Sequence, residues 1–563
     1  MADTDTDNNA STVSSRDQSS SDLFEVLGPE ETSNITTGDA EKVTNEDEET
    51  KEDGTAYPTG FQLGLIILAL CLSVFLIALD NAIIATAIPK ISDEFHSLPD
   101  VGWYGSAYLL TTAALQLLFG KFYVFFRLKW VYLIAICLFE LGSLICGVAQ
   151  NSVTLIIGRA VAGLGAAGIM SGALLILAHS VPLVKRPMYA GMIGSMYGIA
   201  SVAGPLLGGV FTDKATWRWC FFINLPVGAI TVVVILFFFP EPKQDKAVNE
   251  QATFAEKVMR FDPIGNLLFI PAIICLLLAL QWGGTLYSWN NDRIIALFVL
   301  FGVLIIGFIF VQRRQGENAT VPPRIISNRS VWASCLYIFF LGSSFYLMVY
   351  YVPIWFQSVQ GASAIESGTR NLPVLISVVV LTIFSGGLVT ALGYYAPFMI
   401  LGTIVMSIGS GLLSTFQPDT RSPAWIGYQI LFGAGVGMGM QQPLMAIQNV
   451  LDIRDIPTGT SMVTFLQTLG GALFVSVAQS VFTNQLLRSL ATYVPDLDPD
   501  TVFSTGVTNL QKALPKEDLP GIELAYNEAV TRAFLVATAL SATSILGSAT
   551  IPWKSVKAKA KNP

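Results

Sequence analysis

The sequence predicts an all-α polytopic membrane protein with about 14 membrane-spanning helices and both termini in the cytosol. The 563 residues are 52% hydrophobic and only 13% charged, whereas about a quarter of the residues in a soluble domain are charged. Apolar runs of about 20 residues, the length that crosses a bilayer, recur from Phe61 onward. Lys and Arg concentrate in every second connection between these runs, and such connections face the cytosol. A soluble multidomain enzyme is therefore not expected.

Composition divides the chain into segments around two bundles of six spans. The acidic N-terminal segment has almost no aromatic residues and cannot bury enough apolar surface to fold. The charged centre contains an amphipathic piece, Phe254–Arg260, which suits the cytosolic membrane surface. The predicted order is a disordered acidic cytosolic tail at 1–57, a six-helix bundle at 58–239, an amphipathic cytosolic loop at 240–262, two additional helices at 263–311, a cytosolic loop at 312–330, a six-helix bundle at 331–552 and a basic cytosolic tail at 553–563. A 6+2+6 layout is typical of transporters built from two related halves.

Span 1 and span 4 each contain one charged residue, Asp80 and Arg159. No other charge occurs between Asp53 and Lys90. At 1.5 Å per residue, Asp80 and Arg159 lie about 13 Å and about 12 Å below the outer ends of their spans. Charges inside a membrane are costly and indicate function, so we expect the two side chains to pair or to compete for a proton. The alternative is an Asp80 near the interface and solvated.

Proton coupling is the role that we predict for these charges. Burial of a carboxylate favours the neutral acid, so Asp80 could take a proton from outside and weaken its attraction to Arg159. That change would shift the balance between outward-open and inward-open states. Glu140, near the middle of span 3, is a second proton-coupling candidate. Its alternative role is a hydrogen bond within the bundle.

Span 5 contains an unusual concentration of small residues. Gly198, Gly204, Pro205, Gly208 and Gly209 leave one helix face almost without side chains. In a bilayer such a face allows close helix–helix contact, and the proline bends the helix.

Aromatic and amide side chains within the spans are predicted to border the path of the substrate. Few polar groups in an apolar surrounding suit a lipophilic, uncharged small molecule. The candidates are Asn81, Tyr108, Gln116, Tyr197, Tyr346, Tyr350, Tyr351, Gln357, Gln441, Gln442 and Gln467. For any single residue, packing or a place in the interfacial aromatic belt is the alternative.

Several kinds of chemistry are not predicted. The six cysteines form no CxxC motif, and the sequence has no Walker motif, no HExxH and no GxSxG. We therefore expect no enzymatic activity, no catalytic residue, no metal and no cofactor. The net charge of −8 lies largely in the N-terminal tail and one late loop, which gives no surface for nucleic acid. The expected partners are a small lipophilic substrate, protons and the lipid bilayer, and we expect a monomer.

Several segments together resemble a known family of transporters. They are Leu79–Ile91, Trp103–Leu110, Arg159 with Gly163, Gly204 with Pro205, Trp217–Gly228, Ala279–Gly284 and Tyr351–Gln357. These segments resemble those of the fourteen-span drug:proton antiporters of the major facilitator superfamily, and most closely the fungal branch that includes mycotoxin efflux pumps.

This resemblance implies the major facilitator fold and a proton-coupled efflux pump in the plasma membrane, exporting a lipophilic secondary metabolite, toxin or drug. It implicates Arg159 in proton transfer and the span 5 glycines in an antiporter motif. A vacuolar or vesicle membrane is the alternative location. The alternative functions are a proton-coupled importer or siderophore carrier, and a transporter-like sensor that moves no substrate.

The connection between spans 2 and 3 departs from the pattern of the superfamily. That pattern places an aspartate after Gly-x-x-x, and here the position is Val124, four residues after Gly120. A gate built on this aspartate is therefore not expected. Arg127 and Lys129 could still bind acidic lipid headgroups.

Overall fold

The computed structural model describes residues 57–97, 100–241, 261–284, 286–495, 497 and 517–561. Within these ranges it contains helices and isolated β-bridges but no strand. Fourteen segments of the described residues are long and apolar enough to cross a membrane. The structure therefore confirms the predicted all-α class and the predicted number of spans. The N-terminal tail up to residue 56 and the amphipathic piece at 254–260 lie outside the described residues.

We number the spans 1 to 14 in chain order. Their helices are Gly60–Phe95, Val101–Phe125, Leu128–Gly147, Ser152–Ser180, Arg186–Lys214, the pair Trp219–Phe222 and Asn224–Phe238, Pro263–Trp282, Asp292–Gln315, Arg329–Ser358, Leu372–Leu392, Ala396–Leu413, the pair Ser422–Gly439 and Gln442–Val450, Ile456–Tyr493, and the pair Leu519–Thr543 and Ile545–Thr550. Connections contain the helices Pro323–Ile326, Ala364–Arg370 and Val556–Lys561 and the 3-10 turn Gly316–Asn318.

Helices span the membrane because each satisfies its own backbone hydrogen bonds in a medium without water. Spans 5, 7 and 9 contain internal prolines at Pro205, Pro271 and Pro353. Neighbouring helices can compensate for the backbone hydrogen bonds that such prolines remove.

The spans form two bundles that meet along two helix pairs. In the first half span 1 packs on span 5, and span 4 packs on spans 2 and 3. In the second half span 12 packs on spans 10 and 11, while spans 9, 13 and 14 contact one another. Span 5 then meets span 10, and span 2 meets span 13. The two additional spans, 7 and 8, pack on each other, and span 7 also lies against spans 2 and 13.

Hydrogen bonds between connections define two faces of the molecule. At one face, which we call the terminal face, the start of span 1 meets the end of span 6 where Gln62 Nε2 donates to the Phe238 carbonyl at 2.8 Å. At the opposite face, Arg218 Nη2 donates to Glu94 at 2.9 Å and joins the end of span 1 to the start of span 6. Spans 1 and 6 therefore run in opposite directions.

The two halves close against each other on the terminal side. Residues 171–178 of span 4 and 441–449 of span 12 are all buried. A Cβ on Gly120 of span 2 would lie 3.0 Å from the Cβ of Ser461 in span 13, and a Cβ on Gly191 would lie 2.8 Å from the carbonyl oxygen of Thr382. Toward the opposite face, most residues between 466 and 476 of span 13 are partly exposed. The space between the halves is therefore closed at the terminal face.

Candidate functional site

Asp80 and Arg159 form an ion pair inside the first half. Neither side chain is exposed to solvent, and Arg159 Nη1 donates to Asp80 Oδ2. Arg159 Nε donates to the carbonyl oxygen of Tyr104 at 2.7 Å, which fixes the guanidinium against span 2. The alternative of a solvated Asp80 is wrong for this arrangement, because its side chain is fully buried and paired with Arg159.

Asn224 at the start of the main helix of span 6 holds the second oxygen of Asp80. Its Nδ2 lies 3.2 Å from Asp80 Oδ1 and 3.0 Å from Ser143 Oγ of span 3. Asn224 and Ser143 are both fully buried. Asn224 belongs to the Trp217–Gly228 segment, but its place in the sequence alone indicates no role. The sequence shows only an amide within an apolar span. Its contact with Asp80 depends on how the helices pack in the fold.

Tyr108 completes the surroundings of Arg159. The ring centroid of Tyr108 lies 4.5 Å from Arg159 Cζ, which permits a cation–π interaction. Gly163 explains the spacing of the span 4 motif, because a Cβ there would lie 2.9 Å from the Cα of Tyr108. Glycine at position 163, one helical turn after Arg159, is therefore needed for span 2 to pack closely against span 4.

The ion pair is costly to bury and depends on every one of these partners. Removing two charges from water costs several kcal/mol per ion, and the cost is recovered only with good geometry and further hydrogen bonds. Asp80 accepts from both Arg159 and Asn224, and Arg159 donates to both Asp80 and Tyr104. Arg159 Nη2 has no hydrogen-bond partner within the described part of the chain. Neutralising Asp80 therefore leaves the buried charge of Arg159 with few other groups that can stabilise it.

Glu140 lies at the contact between spans 3 and 6, in the layer next to Ser143 and Asn224. Both of its carboxyl oxygens are inaccessible and have no hydrogen-bond partner among the described residues. A Cβ on Gly228 would collide with this carboxyl group. Glu140 is three residues before Ser143, and Gly228 is four after Asn224, so the two layers share one helix–helix contact. The structure places Glu140 beside the ion pair but does not hydrogen-bond it to Asp80 or Arg159.

The glycine-rich face of span 5 serves two different neighbours. Gly204 lies against Ala82 and Ile83 of span 1, and Gly208 lies against Ile83 and Thr86. Gly198 instead faces Val379 and Leu375 of span 10 in the other half. A Cβ on Gly209 would have nothing within 4 Å among the described residues. Span 5 therefore packs against the helix that contains Asp80 and also connects the halves, while Gly209 does neither.

The family is decided by comparison with known proteins. The sequence profile of the Major Facilitator Superfamily matches residues 70–475, which is most of the chain. The chain belongs to the major facilitator superfamily. It is therefore a multi-pass membrane transporter of a family that moves small molecules across membranes, which confirms the resemblance noted in the sequence.

Fungal members of the superfamily are similar over nearly their whole length. The MFS-type efflux pump MFS1 of Arthroderma benhamiae is 59% identical over 505 residues, covering 90% of this chain and 94% of that protein. The efflux pump roqT of Penicillium rubens is 55% identical over 492 residues, covering 87% and 91%. The efflux pump aflT of Aspergillus parasiticus is 50% identical over 506 residues, covering 90% and 98%.

Solved structures of distant superfamily members share the fold. A double-tryptophan variant of XylE matches with a TM-score of 0.55 at 13% identity, covering 88% of this chain and 96% of that chain. The human organic anion transporter MFSD10 matches with a TM-score of 0.53 at 13% identity, covering 86% and 100%. At this identity the likeness establishes the major facilitator fold alone.

The predicted substrate-path residues of this superfamily member occupy different environments. The buried ones are Tyr108, Gln116, Tyr351, Gln441 and Gln442; the partly buried ones are Tyr197, Tyr346, Gln357 and Gln467; and the exposed ones are Asn81 and Tyr350. Three of those in the second half form hydrogen bonds within that half: Tyr351 to Gln479 at 3.0 Å, Gln357 to Ser367 at 2.9 Å and Gln442 to the carbonyl of Met438 at 3.1 Å. In this arrangement these three side chains are held by contacts inside the second half.

Gln441 and Asn81 have different surroundings. A Cβ on Gly194 of span 5 would collide with the amide of Gln441 in span 12, so Gln441 bridges the halves on the terminal side. Asn81 follows Asp80 directly and is exposed, with Nδ2 donating to the carbonyl of Ile77 at 3.0 Å. These positions remain candidates for the path of the substrate.

At the terminal face, the connection between spans 8 and 9 joins the two halves. Lys121 of span 2 donates from Nζ to the carbonyl of Asn318 at 3.3 Å. Arg324 donates from Nη1 to Asp455, the residue before span 13, at 2.9 Å. The connection between spans 8 and 9 therefore links spans 2 and 13.

Proposed function

We propose that this protein is a proton-coupled efflux transporter, an antiporter that exports a lipophilic small molecule such as a fungal secondary metabolite, toxin or drug. Relatives that share at least half of their residues with this chain are named efflux pumps. The observation that supports proton coupling is the buried ion pair of Asp80 and Arg159, the two charges that the sequence places deep in spans 1 and 4.

The terminal face is the cytosolic face in this proposal. Lys and Arg are frequent in the connections at that face, as the positive-inside rule requires. The closed terminal side then makes this an outward-facing arrangement. The proposed location is the plasma membrane, where an inward-directed proton-motive force is available to drive export.

The transport cycle begins with a proton that reaches Asp80 from the outer side. Protonation removes the charge of Asp80 and so removes most of its attraction to Arg159. Arg159 stays charged and keeps its contacts with Tyr104 and Tyr108 on span 2. Span 1 is then released from span 4, and the balance shifts toward the arrangement open to the cytosol. Release of the proton to the cytosol and binding of substrate restore the ion pair and return the site outward.

Glu140 is a second proton-coupling group in this proposal. Its carboxyl group has no hydrogen-bond donor among the described residues that would stabilise a charge, and an unpaired buried charge is costly. A proton held on Glu140 beside the ion pair would keep the layer between spans 3 and 6 neutral while Asp80 changes its charge.

The substrate has the chemistry of the inner surface between the halves. Asn81 and Tyr350, two exposed candidates for the substrate path, offer hydrogen bonds, and the spans that contain them are mainly apolar. An uncharged, moderately lipophilic molecule with a few carbonyl or hydroxyl groups fits such a surface.

Everted vesicles from yeast that expresses this chain test the proposal. Vesicles with an acidic interior are incubated with a mixed extract of fungal polyketides, and the compounds inside are measured by mass spectrometry. We expect at least one compound to accumulate in proportion to the proton gradient. Vesicles with Asp80→Asn, matched for the amount of protein, should lose this accumulation at least tenfold.

The outcomes separate the proposed function from its alternatives. Loss of a compound from preloaded acidic vesicles would indicate a proton-coupled importer. A profile identical to that of vesicles without the protein, with and without the gradient, would contradict transport and leave a sensor as the better description.

A further inference from the structure

Asn224 joins three spans through a single nitrogen atom. Its Nδ2 donates to Asp80 Oδ1 of span 1 at 3.2 Å and to Ser143 Oγ of span 3 at 3.0 Å. The oxygen of the same amide, Oδ1, is buried and has no hydrogen-bond partner in the described chain. One end of a buried amide is therefore fully used and the other is not used at all.

This arrangement fits one protonation state of Asp80. A carboxylate oxygen can only accept a hydrogen bond, so the amide must present its nitrogen to an ionised Asp80. When Asp80 takes a proton, Oδ2 still faces the Arg159 donor, so the proton belongs on Oδ1. Oδ1 then carries a proton that needs an acceptor, whereas the atom that faces it, Nδ2, can only donate.

A half-turn of the amide resolves this conflict. After it, Asn224 Oδ1 accepts from the protonated Asp80 and still has a second lone pair. Ser143 can use that lone pair, because a hydroxyl group donates as readily as it accepts. The same three groups therefore form a hydrogen-bonded set with either charge on Asp80, provided that position 224 has an amide and position 143 a hydroxyl.

We propose that Asn224 is a positioning residue for proton coupling, whose amide holds ionised Asp80 through its nitrogen and protonated Asp80 through its oxygen. The amide passes the protonation state of span 1 to spans 3 and 6, which do not contact Arg159 through any hydrogen bond described here. This inference rests on the proposed proton coupling and names the residue that reads the charge.

Infrared difference titration of the purified full-length protein tests the inference without any substrate. The carboxyl band that disappears in Asp80→Asn is followed with pH in the unaltered protein and in Asn224→Leu. Leu has a similar size but cannot donate to the carboxylate, so the midpoint should move to higher pH by about one unit, a tenfold change. Ser143→Ala should move the midpoint in the same direction by a smaller amount. Asn224→Gln, which keeps an amide, should have a midpoint between those of Asn224→Leu and the unaltered protein.

Thr231→Val is the matched control. Thr231 is fully buried in span 6, and its hydroxyl bonds only to the carbonyl of Val227 among the contacts described. If Asn224→Leu titrates as Thr231→Val does, or if no carboxyl band belongs to Asp80, the inference is wrong. A shifted midpoint in protein that accumulates no compound in vesicles would instead overturn the proposed function alone.

Discussion

At the scale of the residue, two charges in different spans form one buried site. The sequence reveals Asp80 and Arg159 because each is a lone charge in an apolar run, and the costs of burial make such residues functional candidates. It also gives their similar depth through the rise of the helix. It does not reveal Asn224 or Ser143, because an amide or a hydroxyl in a span has many local partners and only the fold decides which one it meets. Nor does it show that Glu140 faces Gly228 rather than the ion pair.

Removing Arg159 alone should harm the protein more than removing the whole ion pair. Arg159→Leu leaves Asp80 charged and without its main partner, a change that costs about 3–5 kcal/mol in buried ion pairs. The double variant Asp80→Asn, Arg159→Leu leaves no buried charge at the site. Fluorescence-detected size-exclusion chromatography should show low yield and aggregation for the single variant and recovery for the double one. Equal yields of the single and double variants would show that Asp80 and Arg159 are not energetically coupled.

At the scale of the element, span 5 is a helix with two packing partners. The sequence predicts its bare face from the glycine spacing. It cannot predict that Gly204 and Gly208 face span 1 while Gly198 faces span 10, because that division depends on how the halves are arranged. The breaks in spans 6 and 12 are also visible only in the structure.

Gly204→Ala should impair transport, whereas Gly209→Ala should not. A Cβ at Gly204 would lie 2.6 Å from the Cβ of Ala82, whereas none of the described residues lies within 4 Å of a Cβ at Gly209. Crowding of this kind costs about 1–3 kcal/mol, and here it would push span 1, with Asp80, away from span 5. The midpoint temperature of thermal unfolding in detergent and the gradient-driven accumulation should both decrease for Gly204→Ala and should stay unchanged for Gly209→Ala. Indistinguishable behaviour of the two variants would mean that this face is not a close contact.

At the scale of the whole molecule, the halves close on the terminal side and meet at mid-membrane. Composition predicts two bundles with two additional spans. The docking of the connection between spans 8 and 9 on both halves, through Lys121 and Arg324, was not predicted, because loop charges in a sequence do not indicate which charges they meet. This link begins at Lys121, three residues before Val124, the position where the superfamily pattern has an aspartate.

Two engineered disulfides should separate a gate from a pivot. Gly120→Cys with Ser461→Cys would join spans 2 and 13 at the terminal face, where a Cβ added at position 120 would lie 3.0 Å from the Cβ of Ser461. Gly198→Cys with Val379→Cys would join spans 5 and 10 near mid-membrane, with Cβ atoms 3.7 Å apart, close to the usual disulfide spacing of about 3.8 Å. Oxidation should stop transport in the first pair, which must separate for inward opening, and should leave at least half of it in the second.

Each single-cysteine variant is the control for these pairs, since the six native cysteines are unpaired. Reductant should restore transport in the terminal-face pair. Full transport with the Gly120–Ser461 disulfide formed would contradict an opening between the halves at this face.

The central claim is that Asp80 couples export to protons, and reconstituted vesicles test it most directly. The compound found in the vesicle screen is measured in two ways: as accumulation driven by a proton gradient, and as exchange of labelled for unlabelled compound without a gradient. We expect the unaltered protein to do both, and we expect Asp80→Asn to keep exchange but to lose accumulation at least tenfold. Accumulation by Asp80→Asn at the unaltered level would contradict it.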